Sequence, residues 1–481
     1  MKNIYIVLFA LYCSFSSLAQ VDRSMPPEAD EPVKLNVGKL IPIELENGLR
    51  VYLAPVKEYP KFTISVNIEL PGYDKESRLA EKKILNKAYS SRLSEKYPNG
   101  EIDSITSYYG AMSNANMFGG TIKGMKEDID PLLEVYVDAL FHPIISDAYI
   151  IEKQKDQVEK EGKETIKLPL RKKEFSVGKV IDSLLFGSEE KVVEIKNKAI
   201  ANFKGLTIND VENFKNDRIL AYNSLIVVVG DFTEKECKEL MMRYFGNWKS
   251  GKPYVKDSPL NKKTSIIKRR KIVVVNAPNA VQSDISFRWH LGDAHTYFKD
   301  DIKLEVLNEI FGASQLSYLY KNLREDKGLC YFIRSSVGTS AVGGRGSVFT
   351  TVRNDQTAYA VENIILEMLR LRNGKVSTSD LKIAKNSLIG SYTRSLNAIS
   401  PIPYITFAMQ KDVYHLPDDY LQSKVDKYYE VSVDDMMEMS QKYIDPFKSV
   451  IYIKGKVSEL KGTLEKFGDV LYFEENGTRI D

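Results

Sequence analysis

Cysteine is almost missing from this chain: Cys13, Cys237 and Cys330 are the only three in 481 residues. That excludes a disulfide framework. Histidine is nearly as scarce, with His142, His290, His295 and His415 the whole supply, so a centre built from imidazoles has few ways to form. Charge of one sign is missing too. Lys plus Arg number 68 against 65 Asp plus Glu, a formal net charge of +3. No excess of either sign points to nucleic acid or an anionic surface as partner. Apart from one short run at the N-terminus there is no long apolar stretch, so no membrane-spanning helix is expected. A Gly-x-Ser-x-Gly elbow, a paired Cys/His signature and a phosphate loop are all lacking. Gly338–Gly346 is rich in glycine but reads as a flexible loop.

What is present is globular: 43% hydrophobic and 28% charged residues, in a chain long enough for two to four domains. The 28 tyrosines are scattered over strands and helices and read as packing. Residues 1–19 have the build of a secretory signal. Lys2 supplies the charge, Ile4–Leu11 the apolar core and Ser17-Leu18-Ala19 the small-x-small cleavage site. Cys13 lies within the apolar stretch behind Tyr12, which argues against a lipoprotein anchor. A large, disulfide-poor exported chain of this kind is expected in a bacterial periplasm. Residues 20–36, charged and proline-rich, read as a loose arm.

From Leu40 onward the pattern is β: Ile41–Leu45, an Asn47-Gly48 turn, Leu49–Ala54, then Thr63–Leu70 with alternating Ile64, Val66, Ile68 and Leu70. Helical spacing follows at Leu132, Val135, Tyr136, Ala139 and Leu140. The second half repeats this order. Leu225–Gly230 returns as Val450–Gly455, each run ending 23 residues after a helix start, at Thr207 and at Ser432. The helical stripe returns as Val361, Ile364, Ile365, Met368 and Leu369, and Ile64–Ile68 returns as Ile285–Trp289. Offsets of 221 to 229 held in one order through a whole half mark a duplicated domain, too long for a solenoid repeat. The expected fold class is α+β: two homologous halves, each a mainly antiparallel sheet with helices on one face. The halves are placed at 37–247 and 265–481, joined by a linker at 248–264.

One stretch concentrates polar groups at a turn: Leu323-Arg324-Glu325-Asp326-Lys327-Gly328-Leu329-Cys330-Tyr331. An apolar-periodic segment (Leu304, Leu307, Phe311, Leu316, Leu319) runs into it as helix, Gly328 ends that helix, and Cys330–Ile333 starts a strand. Arg324 and Tyr331 thus flank one tight turn and can converge. Taken alone, Arg324 also suits a helix C-terminus and Tyr331 an ordinary strand.

With the duplication, this segment resembles the Arg-Glu-x-x-Gly-Leu-x-Tyr signature of the insulinase, pitrilysin and mitochondrial processing peptidase family of zinc metallopeptidases. Leu45-Glu46-Asn47-Gly48-Leu49-Arg50-Val51 looks like the family's opening hairpin, and Gly110-Ala111-Met112-Ser113-Asn114-Ala115 like the strand beside its active site. The resemblance covers about residues 37–475 and implies a metallopeptidase-like roll for each half. It also implies substrate contacts at Ser113, Asn114 and Ala115, and backbone-carbonyl contacts from Arg324 and Tyr331.

The family's inverted His-x-x-Glu-His zinc motif sits on its first helix, where two imidazoles one turn apart share a face. Here those positions fall on Glu81, Ile84 and Leu85. Hydrocarbon can neither ligate a metal nor activate water. His290 and His295 are five apart around a glycine, a poor ligand spacing. Glu152, Glu159 and Glu161, on a charged helix over 151–164, have no histidines opposite them. No cofactor is therefore expected in this chain. The resemblance implies a non-catalytic, substrate-binding subunit that pairs with a homologous zinc-bearing peptidase in a heterodimer and takes a peptide or unfolded substrate. The alternatives are a catalytically dead scaffold or assembly protein, and a free-standing peptide-binding protein of the same fold.

Overall fold

A computed structural model describes residues 40–57, 60–69, 78–154, 205–251, 267–292, 294–340, 343–397, 402–414, 416–475 and 479–480. The signal and arm at 1–36, and most of the linker and of the 151–164 helix, lie outside the described residues.

The N-terminal sheet is built from β1 (Ile41–Glu44), β2 (Arg50–Pro55), β3 (Lys61–Ile68), β4 (Met112–Asn116), β5 (Gly119–Met125) and β6 (Ser224–Gly230). Their order is β1-β2-β6-β3-β5-β4, with β2 parallel to β6 and every other pair antiparallel. The C-terminal sheet uses β7 (Lys271–Asn276), β8 (Gln282–His290), β9 (Cys330–Ser340), β10 (Gly343–Arg353), β11 (Ser449–Gly455), β12 (Asp469–Phe473) and β13 (Arg479–Ile480). Its order is β13-β12-β7-β11-β8-β10-β9. The run β7-β11-β8-β10-β9 repeats β2-β6-β3-β5-β4 strand for strand and direction for direction. The duplication read from the offsets is therefore a duplication of topology, and both halves are mainly antiparallel as expected. Gly338–Gly346 is not a loose loop: its described residues belong to the β9–β10 hairpin.

Among the described residues the α-helices of eight residues or more are α1 (Leu79–Ser91), α2 (Glu101–Tyr108), α3 (Ile129–Phe141), α4 (Ile208–Arg218) and α5 (Glu234–Phe245) in the first half. The second has α6 (Asp301–Asn308), α7 (Thr357–Asn373), α8 (Thr378–Asn397), α9 (Ile402–Tyr414), α10 (Tyr420–Glu430) and α11 (Val433–Tyr443). The helix starts at Thr207 and Ser432 are both capping boxes, in which the hydroxyl takes the N–H of Asp210 or Asp435 and the carboxylate returns to the cap. One face of each sheet packs on the helices of its own half. Ile64, Val66, Ile226 and Val228 meet α1 and α3, while Ile285, Phe287, Trp289 and Ile453 share a core with α6, α7 and α11.

The far face of the N-terminal sheet is also covered. Tyr52, Ala54, Leu225, Val227 and Val229 bury themselves against Tyr404, Phe407 and Ala408 of α9 and Leu421 of α10. Helices of the second half thus close the first half's sheet. Trp248, at the start of the expected linker, belongs to the N-terminal core: it is buried, and its indole N–H donates to the Ile219 carbonyl at 3.0 Å.

Candidate functional site

Three places answer to the sequence motifs. The first is α1. Ile84 and Leu85 are completely buried in the N-terminal core, under the sheet. Glu81 is buried beside them and bound to Arg78, with Nε donating to Oε1 at 2.6 Å. Arg78 in turn lies over the Phe214 ring, 5.5 Å from its centroid. This helix does not fit a zinc ion: two of the three positions are core hydrocarbon and the third is a carboxylate committed to a guanidinium. Among the described residues no group of three or more His, Cys, Asp or Glu side chains is placed to hold a metal. His290 instead accepts the Gly292 N–H on Nδ1 at 3.2 Å, and the side chain of His295 lies outside the described residues.

The second place is β4, which carries Ser113, Asn114 and Ala115. It is the edge of its sheet, paired only with β5. Asn114 Oδ1 accepts the Thr121 N–H at 3.0 Å, and the Ser113 carbonyl accepts from Arg92 Nη1 at 2.7 Å.

The third is the matching edge of the other sheet, β9, which begins at Cys330-Tyr331. The helix before it does not run straight. Beyond α6 it widens into a π-helical turn at Glu309–Ala313, breaks, and resumes as a π-helix at Tyr320–Asp326. Leu316 falls in the break and is exposed, against its expected place in the apolar stripe. Leu323 is fully buried and anchors the second π-helix, while Asn322 donates to the buried Glu367 on α7 at 2.5 Å. Gly328 ends it at φ 61°, with the Leu329 N–H returning to the Leu323 carbonyl at 2.8 Å.

That geometry sets Arg324 between two aromatic rings. Its guanidinium carbon is 4.7 Å from the Tyr320 centroid and 5.2 Å from that of Tyr331, and Nη1 donates to the Tyr320 hydroxyl. The guanidinium is half-buried and held in place, whereas Tyr331 is 84% exposed. Among the described residues neither side chain has a bond or ring contact with the N-terminal half. Beneath them burial pushes the Cys330 thiol pKa up, opposed by the Thr350 hydroxyl and by Arg324, so this cysteine is no ready thiolate.

The structure thus brings Arg324 and Tyr331 together and places Ser113–Ala115 on the corresponding edge of the other sheet. Two residues escaped the sequence reading. Tyr320 lies four residues before Arg324, the spacing at which helical side chains meet, and was legible in principle. Arg92 gave no signal.

Residues 205–388 match the family model described as the peptidase M16 inactive domain. The match includes the Leu323–Tyr331 segment and leaves α1 outside. The fold is similar to the crystal structure of a peptidase M16 inactive domain from Pseudomonas fluorescens, with 17% identity, a TM-score of 0.66, and 88% of this chain and 98% of that one covered. It is also similar to a protease from Helicobacter pylori, at 16% identity and a TM-score of 0.66 over 86% of this chain and 99% of that one. A conserved protein from Enterococcus faecalis gives 15%, 0.61, 87% and 99% for the same measures. At these identities the structural likeness speaks for the fold. No curated protein matches the chain in sequence.

Proposed function

From a chain that carries the peptidase M16 inactive domain across residues 205–388, we propose that it is the non-catalytic, substrate-binding subunit of a heteromeric periplasmic zinc metallopeptidase. Its partner is a homologous chain that holds the zinc, and its contribution is a pair of donors for the backbone of an extended peptide. The observation that carries this is the Arg324 guanidinium held between Tyr320 and Tyr331 at an open sheet edge. A fixed guanidinium and an exposed phenol suit a carbonyl oxygen brought by another molecule. Neither can activate water. The core-filled α1 accounts for the missing half of the chemistry.

Donors aimed at developing oxyanion charge contribute on the order of 3 kcal/mol each. In the assembled pair, Tyr331→Phe should therefore lower kcat by roughly 10²-fold while KM moves less, because the ring stays and only the hydroxyl goes. Arg324→Ala should be at least as damaging, since its stem also packs between the two rings. The test reconstitutes this chain with a homologous chain that carries an intact His-x-x-Glu-His motif and follows peptide cleavage for wild type and both variants. Full activity of the partner alone, or unchanged rates for both variants in a verified complex, would leave the scaffold reading ahead.

A further inference from the structure

Arg92 follows α1, and its backbone lies in the left-handed region at φ 54°. Among the described residues every other residue with positive φ is a glycine. A side chain is strained in that conformation, and glycine or asparagine is the ordinary choice at this helix position. What the arginine supplies is reach. Its Nη1 donates to the Ser113 carbonyl of β4 at 2.7 Å, and its Nε is bound by the Asp103 carboxylate of α2. One guanidinium so ties the end of α1 and α2 to a sheet edge.

The register shows what is being held. Asn114 stands opposite Thr121 of β5, whose N–H is turned toward β4 and taken by the Asn114 side-chain oxygen, so the main-chain groups of this pair face each other across the ladder. Main-chain groups alternate along an antiparallel strand, which turns those of Ser113 and Ala115 to the free side. A polypeptide adding itself to this edge needs the Ser113 carbonyl as an acceptor, and Arg92 already occupies it. Exposed apolar side chains stand on β4 and next to it in the chain: Tyr108 at the end of α2, Met112 at the start of β4 (62% exposed), and Phe118 in the turn to β5. They favour an extended segment with apolar side chains over a charged one.

We propose that Arg92 is a latch on the β4 edge, and that its release from Ser113 admits an extended, apolar polypeptide. This rests on the peptide-binding reading above and adds the residue that gates entry. The strain at Arg92 fits a contact kept for function, since a glycine would end the helix without it.

The test titrates the full mature chain into a dye-labelled, end-blocked decapeptide of alternating leucine and serine, read by anisotropy, for wild type, Arg92→Gly and Asp103→Asn. Sedimentation of each chain without peptide runs alongside. Arg92→Gly suits the backbone and frees the carbonyl, so binding should tighten about tenfold, the size of one charge-assisted hydrogen bond. Asp103→Asn leaves β4 untouched and loosens the anchor, so a smaller gain in the same direction is expected. Wild-type affinity that neither variant improves overturns the latch and leaves the peptide-binding reading standing. No binding by any of the three chains overturns both. Self-association of Arg92→Gly in place of peptide binding overturns the latch in favour of an arginine that only guards an edge against a second copy.

Discussion

At Asp435 several partners act on one carboxylate. Burial pushes its pKa up, but the Lys303 ammonium at 2.6 Å and the Ser432 hydroxyl and N–H pull it down to about 2. Asp301, buried at the start of α6, goes the other way: desolvation raises it despite a hydrogen bond from Tyr420 at 2.5 Å. The signs follow from linkage. A carboxyl held below its ordinary value of about 4 contributes stability above that pH and loses it as pH falls toward 2. One held above its ordinary value contributes more as pH falls through its folded pKa. Urea denaturation of the protein should therefore show an acid limb between about pH 4 and pH 2 that flattens in Asp435→Asn. Ser432→Ala, which removes the cap itself, should cost about 1 kcal/mol at pH 7. Parallel acid limbs in wild type and Asp435→Asn would show that another carboxylate is responsible. Tyr420 and Tyr428, whose hydroxyls donate to Asp301 and Glu305, also show that tyrosines taken as packing include polar clamps.

Among the elements, α1 is the one on which the resemblance puts the zinc-motif positions Glu81, Ile84 and Leu85. Its apolar positions face the N-terminal core, and Ile84 and Leu85 are fully buried there. A carboxylate introduced at Ile84 is therefore a buried, unpaired charge. Ile84→Glu should cost roughly 3–5 kcal/mol, seen as an early denaturation midpoint, and should confer no zinc binding. A variant as stable as wild type would mean that the helix tolerates polar groups and has room for a site. Elements set by local chemistry were legible in the sequence. Thr207 and Ser432 as helix starts, and Gly48 and Gly328 at positive φ, all stand where spacing put them. The π-helical turns were not, because the pattern from Leu304 to Leu319 fits a straight α-helix equally well and only packing decides. Nor was Arg92, since an arginine in the left-handed region runs against the local rule that marks helix ends.

At the scale of the whole molecule, the duplication could be read because each copy kept its order of strands and helices. The edge positions of β4 and β9, and hence the exposure of Tyr331, depend on strand order, which pairs residues far apart in sequence and leaves no local trace. The same holds for the packing of α9 and α10 on the far face of the first half's sheet. There Phe407 is buried against the β2–β6 surface and stacks on Tyr420, with centroids 6.0 Å apart and planes at 6°. Tyr420 carries the contact onward through its hydroxyl to Asp301 on α6. Its loss exposes apolar faces of both halves at once, so the two should unfold together while the contact stands. Phe407→Ala removes the largest apolar piece of α9 from that contact, at a cost of about 3–5 kcal/mol. Because that cost falls on the joint between the halves, the expected result is not a uniformly weaker protein but a split transition. Calorimetry should show one endotherm for wild type and two for Phe407→Ala, with one half melting earlier. A single endotherm merely shifted to lower temperature would mean that the halves remain coupled through other contacts and that α9 is only one part of a common core.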